Sequence, residues 1–153
     1  MDRTRHFLTF LAITILLTSC GKSDAGRITG VLAQCAKISH NAGSISQDPS
    51  TQARYVAEEF QKVDVTKCPL DFRLAFQKHV FAWQQAEPSL KSNTVGTAFI
   101  EGFLSGMAAD PRFLGLANDQ AAIAVQEINS TYRELTLVAA EYGASIPTSV
   151  VGR

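Results

Sequence analysis

Few side chains in this sequence are placed to do chemistry, and they fall into two groups. Cysteines stand at 20, 35 and 68. A thiol can be acylated, can ligate a metal or can pair with another thiol, and spacing and compartment decide which. No two of them form a Cys-x-x-Cys, so that route to thiol exchange and to covalent haem is closed. The second group is His79, Trp83 and Glu101. An unperturbed imidazole titrates near neutrality, and His79 lies between Phe76 and Trp83 at helical spacing. These side chains could line a ligand pocket between helices, with Glu101 converging from another segment. The same spacing also fits a core histidine bonded to a carboxylate or a carbonyl, the commoner use of a histidine on an aromatic stripe.

Other routes to function lack their residues. There is no His-Glu-x-x-His for zinc, no phosphate loop and no Gly-x-Gly-x-x-Gly, so no cofactor or metal is expected. Gly102-Phe103-Leu104-Ser105-Gly106 has the wrong order for a nucleophile elbow, which also needs a preceding strand. Beyond His6 the only histidines are His40 and His79, too few for a three-histidine metal site and a poor supply for a triad. An enzyme is therefore the less favoured class. Asn129-Ser130-Thr131 matches a glycosylation acceptor, but it falls in the middle of a helical pattern and is read as chance.

The N-terminus is the most informative segment. Arg3 and Arg5 precede an uncharged run, Phe7 to Leu17, and small residues follow at Thr18 and Ser19. That order is a positive n-region, an apolar h-region and a cleavage zone. The run is too short for a permanent span, which needs about 20 apolar residues. Leu17-Thr18-Ser19-Cys20 resembles the lipobox of bacterial lipoproteins. The resemblance covers only the first twenty-one residues and attaches no named family to the rest of the chain. It implies removal of residues 1–19, a thioether-linked diacylglycerol on Cys20 and a further acyl chain on its amino group. Two or more chains hold a protein on a bilayer stably where one does so only marginally. Gly21, rather than Asp, follows the cysteine, which resembles lipoproteins sent to the outer membrane, facing the periplasm, in hosts with two membranes. The alternative is an ordinary secretory signal with Cys20 close to the cut.

Loss of residues 1–19 from the 153 leaves 134, a length that fits one domain with its own core. With Arg3, Arg5 and Asp2 gone, 12 Lys and Arg stand against 13 Asp and Glu. A net charge of −1 with no basic block supplies no field for nucleic acid, which is excluded as a partner. Lipidation of Cys20 would leave Cys35 and Cys68 as the remaining thiols of an oxidising compartment. An even remainder points to one disulfide, which would stabilise the fold by roughly 4 kcal/mol on the chain-entropy model; two separately buried thiols are the alternative.

The elements that must position these residues all have helical period. Val31, Cys35, Ile38 and Ala42 share one face of a first helix that follows a lipidated tether over 20–26. Asp48-Pro49 is a cap followed by proline at the first position of a second helix, whose stripe is Ala53, Val56, Phe60 and Val63. A third helix should run from Cys68-Pro69 to about Glu87, where Pro88 disfavours continuation. On it Phe72, Phe76, His79, Val80 and Trp83 share one sector, with Leu70, Leu74 and Phe81 nearly opposite. Two apolar stripes imply two neighbours and a central place in the bundle.

Asn93-Thr94 can cap a fourth helix over 95–109, where Gly102 and Gly106 permit close packing inside a bundle. Asp110-Pro111 starts a short piece through Ala117. Asn118 or Asp119 then caps the longest helix, ending at Gly143, with Ala121, Ile128, Leu135 and Tyr142 spaced by seven and Val125, Tyr132 and Ala139 interleaved. That stripe suits near-parallel packing on neighbouring helices, or a coiled-coil homodimer. The expected fold is an all-α antiparallel bundle of four to five helices over 27–144 with a disordered tail over 145–153. The expected function is an envelope-anchored, non-catalytic lipoprotein that binds a protein or cell-wall partner; the alternative is a ligand-binding or catalytic module around His79 and Trp83.

Overall fold

A computed structural model describes residues 23–91 and 119–147, and within them the chain is an all-α bundle of four helices with no strand. The helices are α1 (Asp24–Ile45), α2 (Pro49–Gln61), α3 (Leu70–Leu90) and α4 (Asp119–Glu141). The signal segment 1–19, Cys20, the helix expected over 95–109 with Glu101, Gly102 and Gly106, the short piece from Asp110, and residues 148–153 lie outside the described residues.

Local chemistry explains where the helices begin. The Ser23 hydroxyl accepts the Gly26 N–H at 3.2 Å, and Asp24 places a carboxylate in the first turn of α1. Both satisfy the positive, donor-rich end of a helix. The helix therefore starts inside the stretch expected to be tether through Gly26, and only Gly21 and Lys22 separate Cys20 from its cap. At α2, the Asp48 carboxylate accepts the Thr51 N–H at 2.8 Å and the Ser50 and Thr51 hydroxyls at 2.7 and 2.6 Å, with Pro49 next in the chain. Those bonds hold its pKa down at about 2, the Thr51 hydroxyl being the largest cause.

Helix α4 stops through backbone geometry instead. Gly143 has φ +70°, Ala144 N–H donates to Ala139 O at 3.1 Å, and Gly143 N–H donates to Ala140 O at 2.9 Å. This is a Schellman turn, and the left-handed residue in it costs glycine nothing.

Side-chain bonds between α3 and α4 fix their direction. Asp71 bonds Tyr142, Lys78 pairs with Glu134, and His79 bonds Thr131, so the partner's number falls as α3 advances. The two helices are antiparallel. Arg27 reaches the Lys67 carbonyl at 3.4 Å, and the Ser145 N–H donates to Thr29 Oγ1 at 3.0 Å. The start of α1, the α2–α3 connection and the end of α4 therefore share one end of an up-down-up-down bundle. The Thr29 bond also ties Ser145 to α1, at the point where a disordered tail was expected to begin.

The core runs along the shared interior: Ile28, Val31, Leu32, Ile38 and Ala42 from α1, Ala53, Val56 and Phe60 from α2, Phe72 to Leu90 from α3, and Ala121, Val125, Ile128, Leu135 and Ala139 from α4. Two expectations for α3 fail. Its second stripe is not covered, because Leu70, Leu74 and Phe81 are 61%, 50% and 59% exposed. Among the described helices, its neighbours α2 and α4 pack on one broad face that also recruits Ala75, Ala82 and Ala86, whose small side chains let the backbones close in. Nor does Pro88 stop the helix, which runs on to Leu90. A proline in the last turn forfeits one hydrogen bond, and burial of Ala86 and Leu90 holds that turn against the core.

Candidate functional site

His79 and Trp83 lie one turn apart on α3, so their side chains project from the same face. Both are sealed: Trp83 is 0% and His79 2% exposed. The indole Nε1–H of Trp83 donates to Nε2 of His79 at 3.2 Å. An indole nitrogen can only donate, so Nε2 carries no proton and the imidazole proton resides on Nδ1. His79 Nδ1 is 3.0 Å from Thr131 Oγ1 on α4, and the Thr131 hydroxyl in turn reaches the carbonyls of Glu127 and Ile128 at 2.9 and 3.0 Å. The donors therefore run in one direction, from indole to imidazole to hydroxyl to the α4 backbone.

Aromatic rings surround this relay. Phe60 of α2 lies 5.8 Å from His79 and 6.5 Å from Trp83, edge-on to the indole, and Phe76 follows at 6.1 Å from Phe60. Tyr132 of α4 lies 5.6 Å from the imidazole. Edge-to-face and tilted pairs at such separations add to the stabilisation from burial alone.

Burial sets the electrostatics. Desolvation pushes the His79 pKa from 6.5 down to about 3, because an imidazolium in this apolar setting would forfeit its hydration. At ordinary pH His79 is therefore a neutral side chain in the core, with a hydroxyl and an indole as partners in place of the carboxylate or carbonyl expected for a core histidine. The arrangement cross-links three helices and offers no proton donor or acceptor to solvent from His79 Nε2. His79 and Trp83 come together as the sequence proposed, Glu101 lies outside the described residues, and His40 is exposed on α1.

Sequence reasoning missed Thr131, Phe60 and Tyr132 as members of this cluster. The available signal was Thr131 itself, a polar residue inserted into the buried stripe between Ile128 and Leu135.

Among the described residues Cys35 and Cys68 are both buried and are not joined to each other. Burial pushes the Cys35 thiol up to about 12, and it raises that of Cys68 as well. Cys68 lies beside an open groove of about 320 Å³ lined by Arg27, Gln34, Asp64, Lys67 and the first turns of α1. Arg27 there is already paired with Asp24 at 2.8 Å. Among the described residues no three His, Cys, Asp or Glu side chains converge to hold a metal ion, and no helix is long and apolar enough to cross a membrane. Comparison of the chain with protein-family models, curated proteins and solved structures finds no match.

Proposed function

We propose that the protein is a lipoprotein of the bacterial cell envelope, acylated on Cys20, whose helical bundle binds a protein or cell-wall partner without catalysing a reaction. In a host with two membranes its place is the outer membrane, facing the periplasm. The N-terminal order of Arg3, Arg5, the apolar run Phe7 to Leu17 and Leu17-Thr18-Ser19-Cys20 supports the anchor. The observation that carries the non-catalytic reading is the bonding of His79. The side chain best suited by type to acid–base chemistry spends Nε2 on the Trp83 indole and Nδ1 on Thr131, inside the core.

The anchor is tested by metabolic labelling with a fatty acid in the producing bacterium. Wild type should incorporate label and migrate as the processed form, whereas Cys20→Ala should remain unlabelled and accumulate as precursor or soluble protein. Equal labelling of the two would end the reading.

A further inference from the structure

We infer that the end of the bundle formed by the start of α1, the α2–α3 connection and the end of α4 is a membrane-facing surface, with the bundle standing end-on upon the bilayer. This rests on the acylation of Cys20 proposed above. The chain between that anchor and the folded domain is very short. From Cys20 to Ser23 an extended backbone reaches about 10 Å, and at Ser23 the helix has begun, since its hydroxyl caps Gly26 N–H and its carbonyl accepts the Arg27 N–H at 3.0 Å. The first turn of α1 is thereby held close to the headgroups.

That turn does not stand alone. Arg27 holds the Lys67 carbonyl, Thr29 holds the Ser145 N–H, and Tyr142 donates to the Asp71 carboxylate at 2.8 Å. The three segments form one stitched platform, and all of it is carried to the surface with α1. Leu70 and Ile146, both exposed large apolar residues, belong to this end, where they can enter the interfacial zone.

Although Leu74 and Phe81 are exposed on the α3 flank, the charged line of α4 argues for standing over lying on that side. Between its two ends α4 exposes Glu127 and Glu134 along one line, and Lys78 of the adjoining α3 flank pairs with Glu134. Laying this flank on the bilayer would strip water from the Glu127 carboxylate and from the Lys78–Glu134 pair. At the platform charges of both signs meet, Arg27 with Asp24 and Lys67 beside Asp64, with the Asp71 and Glu141 carboxylates at the ends of α3 and α4. Contact there should not depend on anionic lipid. The 22 residues of α1 place Ile45 about 33 Å further out.

The test uses the full, natively acylated chain reconstituted into phosphatidylcholine vesicles that carry a nitroxide on the headgroup. Tryptophan reporters replace exposed residues one at a time: Leu70→Trp at the platform, Ile45→Trp at the far end of α1, and Ile123→Trp near the start of α4. Trp83, buried in every variant, supplies a constant background. The expected result is loss of the added emission for Leu70→Trp, none for Ile45→Trp or Ile123→Trp, and the same pattern when anionic lipid is included. Co-flotation of the protein with vesicles is measured first. If wild type fails to float, the acylation reading falls and this inference with it. If it floats but Leu70→Trp is not quenched, or Ile123→Trp is quenched equally, the anchor stands and the end-on arrangement is overturned.

Discussion

Trp83 and His79 share a hydrogen bond of 3.2 Å within one turn of α3, wholly inside the core, with the indole as donor and Nε2 as acceptor. Removing the indole therefore removes both a large buried aromatic and the donor that sets the imidazole tautomer. Trp83→Ala should cost about 3–5 kcal/mol, and Trp83→Phe, which keeps much of the volume but loses the donor, about 1–3 kcal/mol. Urea unfolding followed by far-ultraviolet circular dichroism reads both. An alanine variant with the midpoint of wild type would contradict the burial of this residue.

Acid should weaken the fold through the same pair. The His79 pKa is about 3 in the folded state against 6.5 unperturbed, so the unfolded chain binds the extra proton and the folded one does not. Stability from this group is fully present above pH 6.5 and is lost progressively as pH falls toward 3. Between pH 6.5 and 4.5 the loss should be on the order of 2–3 kcal/mol. His79→Gln, whose amide can accept from the indole and donate to Thr131 at any pH, should start less stable but show a flatter profile across that range. An unchanged slope in this variant would assign the acid response to other groups.

A further acid step belongs to Asp48. Its pKa of about 2 lies below the usual carboxylate value because it accepts bonds from Thr51 and Ser50. The stabilisation it gives is present above about pH 4 and disappears as pH falls through 2. Asp48→Ala should cost about 1 kcal/mol at neutral pH, with a smaller loss for Asp48→Asn, which can still accept. Thermal unfolding of the two variants side by side decides this, and the cap assignment fails if the alanine variant matches wild type.

The thiols should differ in reactivity. Cys35 is buried on α1 with its pKa pushed up to about 12, whereas Cys68 borders the groove beside Arg27 and Lys67. In reduced, folded protein iodoacetamide should reach Cys68 well before Cys35, as resolved by peptide mass spectrometry; the reverse order would contradict the placement of these side chains. Thiol titration of denatured, unreduced protein taken from the envelope separates two free thiols from a disulfide formed after export.

Much of the bundle was legible because the signals are local. Asp48-Pro49 marks the start of α2 through bonds spanning only three positions. The α1 stripe of Val31, Cys35, Ile38 and Ala42 is buried throughout, and so are Ala121, Val125, Ile128, Leu135 and Ala139 of α4. What could not be read depends on which neighbour arrives. Leu74 and Phe81 have the same composition signal as Phe72 and Phe76, yet only the second pair is covered, since α2 and α4 both settle on that face. Gln52 is fully buried because its amide donates to the Ser46 carbonyl at 2.6 Å across the α1–α2 corner, a contact no periodicity encodes. Of the candidate site, the proximity of His79 and Trp83 follows from their spacing, while the neutrality of the imidazole follows from burial by Phe60, Thr131 and Tyr132, which come from other helices.

The bonds that join α3 to α4 connect residues 52 to 71 positions apart, whereas the Phe60–Phe76 contact closes a short hairpin. Loop closure must be met before distant contacts reward it. The α2–α3 hairpin, with its aromatic rings, should therefore form early, and α4 should dock onto it afterwards. In kinetic terms, a truncation at Phe76 should slow folding, whereas Thr131→Val or Tyr142→Phe should leave the folding rate nearly unchanged and speed unfolding. The seam through His79 and Thr131 then governs how long the folded protein persists, and the hairpin governs how quickly it forms.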